Sequence, residues 1–217
     1  MTLEDTGNNS IGGSLCSHCG RRKVTKTMSS ELKATTEAYY SSGYHFHPTD
    51  EQLIQFYLLV KIQNANDNAH LIGNVNIYRY HLEHILENYP QNKEGYWYVF
   101  TPRNKVSVNS VIPNRIATCG YWNTIGNKKD IYDDNGTKIG TKECLVYYEG
   151  NPRNGTKTDW IMEEYVSVFN PLRMRYDDAL KLDYVLCKIY NKKSDPMSMR
   201  LQMGVTEDDE DDETRTS

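Results

Sequence analysis

From Tyr96 to Tyr190 the chain is a succession of short β-prone runs closed by turns, and this alternation restricts the fold more than any other feature. Tyr96-Trp97-Tyr98-Val99-Phe100 is one run, ended by Pro102, and Ile116 to Tyr121 is a second. Lys129 to Tyr132 and Thr137 to Gly140 flank Asp134-Asn135-Gly136, a strong hairpin signal because a tight turn needs residues that tolerate positive φ. Leu145 to Tyr148 and Trp160 to Val168 flank a second turn centred on Asn154-Gly155, and Tyr184 to Tyr190 closes the set. Strands joined by short turns predict a twisted antiparallel sheet. The 17 Tyr residues fit such a sheet, since Tyr suits half-buried strands with a wet edge.

Ahead of the strands, Thr49 with Gln52 three residues later matches a capping box, and Asp50 and Glu51 suit a helix N-terminus. Leu53, Phe56, Tyr57 and Val60 then recur at helical spacing and predict one apolar face. A second helix is expected over His81 to Asn88. The fold class is therefore α+β, mainly β, with a twisted antiparallel sheet flanked by helices.

Charge is unevenly distributed. The chain carries a formal net charge of -4, yet Glu207 to Glu213 alone supplies seven acids, so the remainder stands at +3. Between Phe100 and Lys129 there are five cations (Arg103, Lys105, Arg115, Lys128, Lys129) and no Asp or Glu. Cations interleaved with Tyr, Trp, Asn and Thr on extended backbone suit a nucleic-acid backbone and groove. Residues 1–39 read as a disordered arm, 40–193 as the folded domain, and 194–217 as a disordered acidic tail. The start has no signal-peptide pattern, and no apolar run reaches the length needed to span a bilayer. Five Cys without a secretion signal predict reduced thiols.

Cys16 and Cys19 have zinc-ligand spacing with His18 between them. A closed site needs four ligands and no second Cys pair follows, although His45 and His47 are available. Free thiols are the simpler expectation, so no metal and no cofactor is assigned. The basic cluster Arg21-Arg22-Lys23 with Lys26 reads equally as an import signal or as a solvated patch. No GxSxG, HExxH or phosphate-cradling glycine loop occurs, and Glu163 and Glu164 alternate across a strand and cannot act as a pair, so no enzyme is expected.

Ordered motifs now give a resemblance. Gly43-Tyr44-His45-Phe46-His47-Pro48-Thr49-Asp50-Glu51-Gln52-Leu53 is similar to GFRFHPTDEEL. Tyr96 to Arg103 resembles EWYFFSPR, Pro113-Asn114-Arg115 matches PNR, and Gly120-Tyr121-Trp122 with Gly126 and Lys129 resembles GYWKATGxDK. Gly140, Lys142 and Leu145 to Tyr148 are similar to GxKKxLVFY. Lys157 to Tyr165 resembles KTNWIMHEY, and Val185 to Tyr190 resembles VLCRIY. The chain thereby resembles plant NAC-domain transcription factors from about Tyr40 to Lys193.

The resemblance implies a nuclear, sequence-specific binder of double-stranded DNA, with the GYWKATGxDK strand edge in the major groove. It implies that Arg103, Lys105, Arg115, Lys128, Lys129 and Lys142 contact phosphate or base, while Asn123 and Thr124 offer hydrogen bonds. Trp122 is read as core rather than as a stacking platform. Dimerisation with a like domain is implied for Gly43, Tyr44, His45, Phe46 and Gln52. His45 and Gln52 replace the family's Arg and Glu, so a weaker dimer that responds to pH near about 6 is expected.

Other departures bear on DNA. Asn123, Val106 and Ile112 replace family cations, Glu143 reverses one, and Lys128 stands where the family has Asp. Weaker or differently specific DNA binding follows, because each phosphate that goes without its cation lowers the salt slope by about 0.9. The alternative reading is a degenerate domain that acts mainly as a dominant-negative dimerisation partner.

Overall fold

The computed structural model describes residues 45–63, 72–104, 106–107, 112–169 and 181–195. The zinc-type Cys pair, the basic cluster, the dimer residues Gly43 and Tyr44, and Lys105 all lie outside these residues, as does the acidic run.

The first helix, α1, begins where the sequence places it. The Gln52 amide donates to Thr49 Oγ1 at 3.2 Å and the Thr49 amide donates to Gln52 Oε1 at 3.0 Å, which completes the capping box. It is α-helical over Asp50–Gln52, π-helical over Leu53–Leu58 and α-helical again over Leu59–Gln63. The wider π turn shifts the apolar face away from the expected one. Leu53, Ile54, Leu58 and Ile62 are buried, whereas Phe56 is 61% exposed. The second helix, α2, spans Leu82–Asn88, with the His81 side chain accepting from the Glu83 amide as its cap.

Among the described residues seven strands follow in chain order: β1 (Gly73–Asn74), β2 (Trp97–Asn104), β3 (Ile116–Ala117), β4 (Gly120–Tyr132), β5 (Lys138–Glu149), β6 (Thr156–Ser167) and β7 (Lys181–Asn191). They form one sheet in the order β1-β2-β7-β6-β5-β4-β3. Every pairing is antiparallel except β1 with β2, which is parallel and departs from the antiparallel expectation. Two residues of β1 are too few to leave an alternating pattern in sequence.

Alternation along the strands splits the core into two layers. Trp97 and Val99 face α2 with Leu82, Ile85, Trp122, Leu145 and Tyr147. Tyr98 and Phe100 face α1 with Phe46, Leu53, Ile54 and Ile131. The sheet thus lies between the two helices.

Two expected strands differ. Ile116 to Tyr121 is not one strand, because Cys119 adopts φ 65° and turns the chain from β3 back along β4. Lys129 to Tyr132 is not separate but the far end of β4. At the other hairpin end Asp133 Oδ1 accepts from the Asn135 and Thr137 amides, and Gly136 takes φ 75°. Of the expected tail only Ser194 and Asp195 are described: Ser194 closes a turn, and Asp195 is buried, accepting from Tyr96 Oη at 2.7 Å. Cys119 is disulfide-bonded, contrary to the expected reduced state, while Cys144 and Cys187 are free.

Candidate nucleic-acid interface

β3 covers only Gly120 and Tyr121 of β4. Beyond them, among the described residues, no strand pairs with the outer edge of β4. Asn123 to Asp130 is exposed without interruption. An open edge of this length is a place where another polymer can lie, and it is also an aggregation hazard that proteins blunt with bulges and lysines. This edge carries both devices.

The bulge is read from the register. Ile125 faces Cys144 and Lys129 faces Lys142, so Gly126, Asn127 and Lys128 stand opposite the single residue Glu143. Two extra residues are pushed out of the ladder there. Gly126 has φ 68°, a conformation that a side chain would strain.

Behind the bulge an ion-pair chain runs into the core. Lys128 Nζ lies 2.5 Å from Glu143 Oε1, and Arg115 Nη2 lies 2.6 Å from Glu143 Oε2. The same Arg115 nitrogen lies 2.7 Å from Glu164 Oε1, which Arg103 Nη1 reaches at 3.0 Å. Tyr78 Oη donates to the other Glu164 oxygen at 3.0 Å. Glu164 is fully buried and Arg103 only 7% exposed. A buried carboxylate between two guanidiniums is compensated only as a set.

The titration shifts follow this geometry. Burial acts to raise the Glu143 carboxyl, but hydrogen bonds and charge from Lys128 and Arg115 outweigh it and hold the group below its ordinary value. Burial lowers Arg115, and the Glu164 charge and hydrogen bond outweigh that and raise it. Burial, then the Glu164 charge, drive the Tyr78 phenol well above its usual value. Burial and the nearby Glu163 push the Cys144 thiol up, so it stays neutral.

A pH dependence follows from Glu143. Its depressed pKa contributes stability that is complete above the unfolded carboxyl value of about 4.3. That share is lost as pH falls below this value through the folded one. The urea midpoint gap between wild type and Glu143→Gln should therefore shrink between pH 6 and pH 3. A gap that stays constant or widens on acidification contradicts the assignment.

Of the eight residues expected at DNA, the seven that are described are not gathered on one surface. Asn123, Thr124, Lys128 and Lys129 line the β4 edge and are exposed. Arg103 and Arg115 are held behind it by Glu164, so they are not presented to solvent as the two lysines are. Lys142 faces the α1 side, 2.6 Å from Asp50, over the Tyr165 ring. Among the described residues the cations on the β4 edge are Lys128 and Lys129; the adjoining hairpin end carries Asp130, Asp133 and Asp134, with Lys138 paired to Asp130. Lys129 forms no ion pair among the described residues.

Trp122 is 4% exposed against Tyr147, as expected of a core residue. Of the described dimer residues, Phe46 is buried in this domain, Gln52 is occupied by the capping box, and His45 Nδ1 lies 3.2 Å from Glu94. Sequence reasoning misses Glu164 and Tyr78. The signal for Glu164 is its phase, two residues after buried Met162 on the inward side of β6.

Residues 41–167 match the No apical meristem (NAM) protein family. The chain belongs to the NAC-domain family. It is 40% identical over 170 residues to NAC domain-containing protein 2 of Solanum lycopersicum, which covers 77% of this chain and 60% of that relative. It is 39% identical over 162 residues to NAC transcription factor 25 of Arabidopsis thaliana, covering 70% and 50% respectively. The chain thus spans between half and three-fifths of these relatives. The NAC assignment is to a regulatory family and not to an enzyme. Among the described residues no helix is long and apolar enough to cross a membrane.

Proposed function

We propose that this NAC domain binds double-stranded DNA sequence-specifically, in the nucleus, and regulates transcription there. The observation that carries the reading is the open, bulged β4 edge with Asn123, Thr124, Lys128 and Lys129 exposed on it. A major groove is about 12 Å wide and accepts a strand lengthwise. An edge-on strand has a phosphate backbone on each flank, and Lys129, exposed on the edge, is available to one of them. Several similar proteins are named as NAC transcription factors, which agrees with this reading.

Arg103 and Arg115 take a new role in this proposal. They brace the edge from within and do not touch phosphate. Pairing with a second NAC domain through the segment around His45 and Gln52 belongs to the same proposal. The degenerate reading loses its main support, because Glu143 is neutralised by Arg115 and Lys128 and does not confront the duplex bare.

The test is a salt titration of binding to random and to selected duplexes. Affinity should fall steeply with salt on both and be higher on the selected duplex. Lys129→Ala should reduce the slope by about 1. A slope near zero on both duplexes would sink the proposal.

A further inference from the structure

The two positions at which charge is inverted relative to the resembled motifs meet in space. Lys128 replaces an Asp and Glu143 replaces a Lys, and their charged atoms lie 2.5 Å apart across the bulge. The inversion is therefore one exchange and not two independent changes. Its polarity changes what the edge offers. The Lys128 side chain is 52% exposed while Glu143 is 16% exposed, so the ammonium is on the outside of the pair. They line a cleft of about 270 Å³ with Arg115, Thr124, Gly126 and Asn127.

We propose that Lys128 reads a base edge, that Glu143 is its positioning residue, and that the polarity of the pair selects guanine. The inference rests on the duplex-binding reading above. An ammonium has three N–H donors and no acceptor. One donor is engaged by Glu143, which leaves two directed outward. Guanine presents two acceptors in the major groove, O6 and N7, whereas cytosine presents a donor there. The inverse pair, with a carboxylate outside, would be acceptor-only and favour cytosine.

Glu143 supplies the orientation. A lysine stem is flexible, and a contact that orders it before the duplex arrives removes part of the cost of binding. Glu143 can do this because its other oxygen is fixed by Arg115, which Glu164 fixes in turn. The competing account is that the pair only blunts the strand edge.

Duplex selection from a random pool distinguishes the two, run on wild type, Lys128→Arg, Lys128→Ala, Glu143→Gln and the exchange K128D/E143K, with urea midpoints for each. Wild type should prefer guanine at one position by about tenfold, the order expected of one good base contact. Lys128→Arg should keep that preference and Lys128→Ala should lose it, with other positions unchanged. Glu143→Gln should weaken it at that position while the salt slope holds.

In K128D/E143K the preferred base at that position should change to cytosine. If this variant does not fold, the Lys128→Ala and Lys128→Arg selections decide alone. Unchanged base preference in Lys128→Ala, or the same selected base in the folded exchange variant, overturns the proposal. Selected duplexes bound by wild type with no guanine preference sensitive to Lys128 overturn it while leaving DNA binding standing. Absence of any duplex binding by wild type overturns both.

Discussion

Glu164→Ala should lower the unfolding free energy by about 3–5 kcal/mol, the cost of leaving buried charge without its partner. The carboxylate is fully buried and holds Arg103, Arg115 and Tyr78 together. Removing it leaves two guanidiniums close to one another with no common counterion, and a phenol without its acceptor. Glu164→Gln keeps the shape and one acceptor but not the charge, so most of the loss should remain. Urea unfolding of both variants measures this. A loss below about 1 kcal/mol in both would show that the pair is solvated and worth what a surface pair is worth. Arg115 also fixes Glu143, so folded Glu164→Gln should bind duplex less selectively than wild type.

Trp122→Ala should destabilise the domain by about 3–5 kcal/mol, as deletion of a large buried aromatic does. Its ring centroid lies 5.1 Å from that of Tyr147, in the α2-side core that also holds Ala117 and Leu145. Its amide donates to the Arg115 carbonyl, which holds the bracing segment against β4. The residue sits inside the motif expected at DNA, so a stacking role is the competing account. That account predicts an unchanged urea midpoint with duplex binding abolished. The packing account predicts a large midpoint shift and, for the folded fraction, an unchanged salt slope.

The strand runs, the two hairpin turns and the capping box are legible because each rests on a local rule. Gly136 takes positive φ, and Thr49 with Gln52 needs only a spacing. What is not legible is non-local. Nothing in Gly120 to Lys129 announces that β4 stands at an open edge, since that depends on β3 being two residues long. The bulge depends on the register against β5. Arg103 and Arg115 look like free cations in sequence because their counterion, Glu164, arrives 61 and 49 residues later. Glu143 and Lys128 read as unrelated changes for the same reason. The π turn in α1, which exposes Phe56, leaves no mark in a pattern read at helical period.

The central claim is that the duplex lies along the β4 edge. Amide chemical-shift mapping of the isotope-labelled chain, titrated with a selected duplex, tests it most directly. The largest changes should fall on Asn123 to Lys129 and on Glu143, with α2 and the β2–β7 pair undisturbed. Changes centred on α1, α2 or the β1–β2 edge, with Asn123 to Lys129 silent, would contradict it.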